Sequence, residues 1–240
     1  MVSRSTRCVT IDYADDFHLD VVPIIQNSSF IFATKYQICN RKDNIFERTD
    51  GPGFEDWLGG KNEIVGDNQL VQVIRLLKYM RDIKGRFSCK SILLTTLIGE
   101  QVRDSDSKGF DDLSSALMFL MGRLDDFLKE NPNMPIIENP ALSDENFNRH
   151  WDAKKYMRFR SQISMYRDWI DDAYAETDPK TSIIKWRRVL GGKFAKSVDF
   201  NDAKFIAQCK NELMELEEKK SGYGGLIASA AVLVLLALKG

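Results

Sequence analysis

The sequence predicts an α+β chain: short antiparallel strands over about the first fifty residues, then a mostly helical domain. Three observations predict it. Beta-branched and aromatic residues alternate with polar ones between Val9 and Arg48, in short runs split by turn residues. From Asp67 onward the apolar residues recur at three- and four-residue spacing instead. The switch falls on a cluster of helix and strand breakers, Thr49-Asp-Gly-Pro-Gly53.

The first strand pair is the best defined. Val9 to Asp12 and Phe17 to Val21 flank an acidic turn at Ala14-Asp-Asp16. Side chains alternate across a strand, so the register can be chosen by where apolar residues fall. A three-residue turn sets Tyr13 opposite Phe17, Ile11 opposite Leu19 and Val9 opposite Val21, all on one face. Thr10, Asp12, His18 and Asp20 then share the other face. A two-residue turn would place Ile11 against Asp20 and mix the faces. Pro23 ends or bulges the strand that carries Asp20. Ser29 to Ala33, Tyr36 to Cys39 and Asn44 to Arg48 are the next predicted strands, with Arg41 to Asn44 as a turn.

The helices follow. Thr49 or Asp50 caps a short helix to Leu58, which Gly59-Gly60 ends. Asp67 caps a helix to Lys84 with Leu70, Val73, Ile74, Leu77 and Met80/Arg81 inward, and Gly85 stops it. Cys89 to Val102 is apolar nearly all round and reads as a central core helix. Asp111 or Asp112 caps a helix to Glu130 that Pro132 and Pro135 terminate. Ser143 to Asn146 opens a long amphipathic helix to Ala175. Its basic run, Lys154 to Arg160, reads as a solvated face because Tyr156, Phe159 and Ile163 take the inward positions. Asp178-Pro179 starts a helix that Gly191-Gly192 breaks. Asp199 to Lys220 reads as a charged helix.

Composition narrows the function classes. With 34 basic and 35 acidic residues the net charge is −1, so bulk charge does not indicate a nucleic-acid partner. Cys8, Cys39, Cys89 and Cys209 are widely spaced and do not cluster with His18 or His150, which argues against structural zinc and a disulfide framework. Reduced thiols and the lack of an apolar core after Met1 to Arg7 predict a cytoplasmic protein. The run Gly222 to Leu238 carries no charge. It is slightly short of the ~20 apolar residues of a spanning helix. A membrane anchor and a helix that contacts a partner protein or the body of the chain both remain open for it.

Several segments, in order, carry a resemblance. Phe17-His-Leu-Asp-Val-Val-Pro23 resembles the third catalytic-aspartate strand of the cGAS/DncV-like nucleotidyltransferases, the CD-NTases, which are oligonucleotide cyclases related to oligoadenylate synthase. Asn44 to Pro52 with Phe54-Glu-Asp-Trp57 resembles the family's strand and Thr-Asp-Pro…Trp segment, with one extra glycine here. Leu70 to Lys78, Ser91 to Leu97, and Asn139-Pro-Ala-Leu142 with Asn146 and Trp151 resemble its later helices and loop. The similarity runs over residues 7–175.

The resemblance implies that residues 1–60 are part of a polymerase-β-like nucleotidyltransferase sheet, 61–220 a helical domain and 221–240 an apolar helix. It implies an enzyme that makes cyclic or linear oligonucleotide second messengers from nucleoside triphosphates in antiphage defence. Mg²⁺ or Mn²⁺ would be the cofactor, since nucleotidyl transfer uses divalent cations on carboxylate oxygens. Asp20 matches the third metal-binding aspartate. Lys78 and Ser91 match residues that contact the triphosphate, and Thr49 and Asp50 lie where the family binds nucleotide. Family members carry a Gly-Ser motif and an Asp-x-Asp or Glu-x-Asp strand ahead of the third aspartate. The nineteen residues before Asp20 contain neither. The expectation is an N-terminally truncated enzyme, with an inactive interaction or membrane-tethered remnant, or half of a split enzyme, as alternatives.

Overall fold

The computed structural model describes residues 1–14, 18–27, 35–106, 110 and 112–195. The strand expected at Ser29 to Ala33, the helix at Asp199 to Lys220 and the apolar run 222–238 lie outside the described residues. The fold is α+β. The described residues divide into two compact units, one within 1–58 and 138–147, the other within 59–137 and from 148 on.

The first unit is built of strands. β1 (Val2–Arg4), β2 (Val9–Asp12) and β3 (His18–Val21) form one antiparallel sheet. The β2–β3 register is Val9↔Val21, Thr10↔Asp20, Ile11↔Leu19 and Asp12↔His18, the one that segregates polar from apolar side chains. β4 (Ile24–Asn27), β5 (Lys35–Asn40) and β6 (Ile45–Thr49) form a second antiparallel sheet, beginning just past Pro23. Asn40 closes the β5–β6 turn. Its buried amide donates to Asp43 at 2.8 Å and Glu47 at 2.7 Å and accepts from the Lys42 and Asp43 amides. Asn44 completes the reversal at φ 51°, a left-handed conformation that asparagine tolerates.

α1 (Gly51–Val65) does not stop at Gly59-Gly60 as expected. Neither glycine takes a positive φ, and a helix interior accepts glycine at a cost of only about 1 kcal/mol. The break comes at Gly66, Asp67 and Asn68, all left-handed. Asp67 therefore caps nothing, and α2 (Gln69–Lys84) starts after Asn68 without a side-chain cap. Gly85 at φ 57° ends α2, as its sequence position suggested.

The second unit holds every buried apolar residue among the described residues. α2, α3 (Ser91–Gly99), α4 (Leu113–Glu130), α5 (Ala153–Tyr174) and α6 (Pro179–Leu190) pack around it. Leu70, Val73, Ile74, Leu77 and Met80 of α2 are all buried, as their spacing predicted. α3 buries Leu93 through Gly99 in succession, which fits a sequence apolar on every side. Phe159 is fully buried between Phe87 and Trp151, at centroid distances of 5.3 and 5.0 Å. Asp112 and Ser115 form a reciprocal capping box at α4, and Asp178 caps α6 ahead of Pro179.

One helix start differs from expectation. Leu142–Asn146 is a strand, β8, paired with β7 (Glu138–Asn139), and α5 begins ten residues later than Ser143. Asp152 is the true cap, accepting the Lys155 amide at 2.8 Å. Ser143 to Asn146 has cap-forming composition, but its backbone bonds go to β7 instead. On α5, Tyr156, Phe159 and Ile163 point inward and Lys154, Lys155 and Arg158 outward, as the sequence predicted.

Candidate functional site

Asp20 sits in β3 opposite Thr10, with its carboxylate exposed. The Thr10 hydroxyl donates to its Oδ1 at 2.5 Å. That hydrogen bond holds the carboxyl below its ordinary pKa, aided by the Cys8 thiol and the charge of His18. Asp20 is thus ionised at neutral pH, with its side chain exposed. Asp12 shares its sheet face and pairs across with His18. Among the described residues no group of three His, Cys, Asp or Glu side chains is placed to hold a metal ion. The fit is therefore that of one oxygen donor on a rigid strand, short of the several oxygens that a divalent cation takes.

Thr49 and Asp50 lie where β6 turns into α1. The Thr49 hydroxyl donates to Glu145 of β8 at 3.3 Å. The Asp50 carboxylate accepts the Gly53 amide at 2.9 Å, tying down the first turn of α1. Buried Asn139 gathers the junction. It donates to Glu145 at 2.8 Å and to the Asp50 carbonyl at 3.4 Å, and it accepts the Ala141 amide at 2.9 Å. Gly53 is required there, because a Cβ would lie 2.7 Å from the Asp50 carboxylate and 2.8 Å from the Ala141 Cβ. Both site residues named from the sequence hence have structural partners of their own. Tyr36 pairs with Thr49 in the sheet.

Lys78 and Ser91 belong to the second unit. Lys78 is half-buried on α2 and, among the described residues, has no hydrogen-bond or ion-pair partner. Burial lowers its pKa, and the neighbouring charges of Arg81 and Arg75 lower it further. Ser91 is the first residue of α3. The cap position before it is Lys90, whose side chain makes no capping bond. The Ser91 hydroxyl instead meets Arg81: Nη1 donates to its Oγ at 3.1 Å and to the Cys89 carbonyl at 2.8 Å. Nε of Arg81 pairs with Asp82 at 2.8 Å. Arg81 and Ser91 are therefore hydrogen-bonded, and Lys78 lies one turn before Arg81 on α2.

Arg81 is the member that sequence reasoning missed. Its spacing places it with Met80 at the end of the apolar stripe. The available signal was Arg75, Lys78 and Arg81 at three-residue spacing, which gathers three cations along one side of a helix.

Comparison with known proteins shows what the chain is similar to. Residues 1–62 match the Second Messenger Oligonucleotide or Dinucleotide Synthetase domain. A c-di-GMP synthase of Roseivirga ehrenbergii is 28% identical over 200 residues, 69% of this chain and 50% of that protein. Over these residues the chain is similar to second-messenger nucleotide synthetases. It spans about half the length of the curated relative it matches. The fold agrees with solved CD-NTases. CdnC of E. coli MS115-1 with ATP superposes with a TM-score of 0.60 at 17% identity, over 80% of this chain and 65% of that one. CdnG of Bradyrhizobium diazoefficiens with GTP gives 0.59 at 16%, covering 80% and 66%. Vibrio cholerae DncV, a cyclic AMP-GMP synthase with a linear intermediate, gives 0.60 at 15%, covering 80% and 52%.

Proposed function

We propose that this chain carries the third metal-binding carboxylate and the triphosphate-binding helices of a CD-NTase, an enzyme that joins nucleoside triphosphates into cyclic or linear oligonucleotide second messengers for antiphage defence. The observation that carries the proposal is the match of residues 1–62 to a second-messenger synthetase domain. Asp20 stands within it, on a strand, ionised and open to a ligand. The relatives named for c-di-GMP and cyclic AMP-GMP synthesis support the reaction class.

In that reaction a 3′-hydroxyl attacks the α-phosphorus of a second nucleotide and pyrophosphate leaves. Bound Mg²⁺ or Mn²⁺ would lower the hydroxyl's pKa and stabilise the leaving group. Asp20 would contribute one oxygen ligand from a fixed strand position. Lys78, with no anionic partner among the described residues, would neutralise phosphate charge. Ser91, at the positive end of α3, would donate its hydroxyl to a phosphate oxygen. Thr49 and Asp50 would shape the nucleotide pocket through the β6–α1 junction that they and Asn139 hold together.

The alternative is a non-catalytic interaction module of the same descent. It is favoured by one observation: no three-residue metal group exists among the described residues. Labelled ATP and GTP with Mg²⁺ or Mn²⁺ separate the two. The chain is assayed alone and together with a polypeptide that carries a Gly-Ser and Asp-x-Asp segment. Oligonucleotide product that depends on Asp20, and is lost in Asp20→Asn, supports the enzyme. No product under either condition supports the interaction module. For residues 222–238, detergent partitioning of the full chain distinguishes membrane contact from contact with a partner protein.

A further inference from the structure

We infer that Arg81 is a positioning residue that presents the Ser91 hydroxyl to a nucleotide's phosphates as a hydrogen-bond donor. The inference rests on the reading of Lys78 and Ser91 as triphosphate contacts and adds a residue that neither the resemblance nor the comparisons assign.

The argument is one of donors and acceptors. A serine hydroxyl has one hydrogen and two lone pairs. At Ser91 one lone pair is taken by Arg81 Nη1 at 3.1 Å. The hydroxyl hydrogen must then point away from the guanidinium. Among the described residues no other hydrogen bond uses it, and α3 does not use the hydroxyl as a cap. Arg81 thus leaves Ser91 poised to give a hydrogen bond, which is what a phosphate oxygen accepts.

The same guanidinium fixes where the hydroxyl sits. Its second bond, to the Cys89 carbonyl at 2.8 Å, holds the backbone just ahead of α3. Its Nε is braced by Asp82. Arg81 is one turn along α2 from Lys78, close enough for its charge to lower the lysine's pKa. Only a planar fork with several fixed N–H directions makes all three bonds, and a lysine ammonium does not reproduce it.

The test is a double-mutant cycle on binding of MgATP to the full chain, with adenosine as the phosphate-free probe. Ser91→Ala and Arg81→Lys are each expected to weaken MgATP binding about tenfold, near the low end for the loss of one hydrogen bond to a charged group. The double variant is expected to bind within about twofold of Ser91→Ala, because contacts within one network are not additive. Adenosine binding is expected to be unchanged throughout. An Arg81→Lys penalty equal in the presence and absence of the Ser91 hydroxyl overturns the inference, since charge alone or a folding role would give it. So does Arg81→Lys binding MgATP like the wild type. Arg81→Gln runs the same cycle if Arg81→Lys does not fold. Wild-type chain that binds no MgATP overturns the triphosphate reading of Lys78 and Ser91 and takes this inference with it. Binding without coupling overturns the role of Arg81 alone.

Discussion

Arg123→Ala is expected to destabilise the helical unit by about 3 kcal/mol, the low end of the cost of orphaning one half of a buried ion pair. Asp106 lies in the turn after α3, with only 6% of its side chain exposed. Arg123 of α4 reaches it with two bonds, at 2.6 and 2.9 Å, and also donates to the Gln101 carbonyl at 2.9 Å. Without Arg123 the carboxylate keeps one donor among the described residues, the Arg103 amide at 2.9 Å. The low end applies because the guanidinium side chain is itself 19% exposed, so water can partly replace it. Urea denaturation at neutral pH measures the loss as a shift in midpoint.

The pH dependence gives the same experiment a second reading. Burial pushes the Asp106 carboxyl up, but the Arg123 and Arg103 hydrogen bonds and charges outweigh it, and the net pKa lies below the ordinary value of 3.8. A folded pKa below the unfolded one contributes stability that is present above the unfolded pKa. That stability is lost as pH falls through the folded pKa. The gap between wild type and Arg123→Ala should therefore be full at pH 7 and shrink below about pH 4. A loss under about 1 kcal/mol, as for an exposed pair, would refute the reasoning, as would a gap that does not shrink in acid.

Phe159→Ala should cost about 3–5 kcal/mol by urea denaturation, because the ring is fully buried between two other aromatics; a cost below about 1.5 kcal/mol would mean the cluster collapses freely. Burial pushes the Cys89 thiol up to about 12, whereas Cys39 is exposed. Alkylation of the native chain at pH 8 should label Cys39 and spare Cys89; equal labelling would contradict the placement of Cys89. Thr10→Val should raise the Asp20 pKa toward 3.8, since the Thr10 hydroxyl is the main cause of its depression. An unchanged carboxyl titration by NMR would show that the hydroxyl does not hold it.

Much of the fold was legible because local chemistry and tertiary packing agree. The β2–β3 register follows from alternation alone, since only one pairing keeps Val9, Ile11, Leu19 and Val21 on one face. α6 was bounded on both sides by residues with a single common use, Asp178-Pro179 and Gly191. β1 was not legible, because three residues are too few to show a period. Ser143 to Asn146 was misread because strand pairing with Glu138 and Asn139 is a non-local fact, while cap composition is local. Gly59-Gly60 was misread because glycine permits a break without imposing one, and the reversal came from Gly66 through Asn68.

The candidate site divides along similar lines. Asp20, Lys78 and Ser91 were named through resemblance, which points to positions without giving their surroundings. The Thr10 hydroxyl on Asp20 follows from the predicted register, since both residues fall on one face and opposite one another. The Arg81 bond to Ser91 could not be foreseen, because it depends on how α3 starts against the last turns of α2. The same holds for Asn139, which joins residues 89 positions apart in sequence.

Amide and guanidinium NMR spectra of the full chain, titrated with MgATP, offer the most direct check that α2 and α3 receive a nucleotide's phosphates. Shifts concentrated at Lys78, Arg81 and residues 91–93, absent when adenosine replaces MgATP, are the predicted result. A spectrum in which those signals stay fixed while MgATP saturates, or in which adenosine moves them equally, would contradict it.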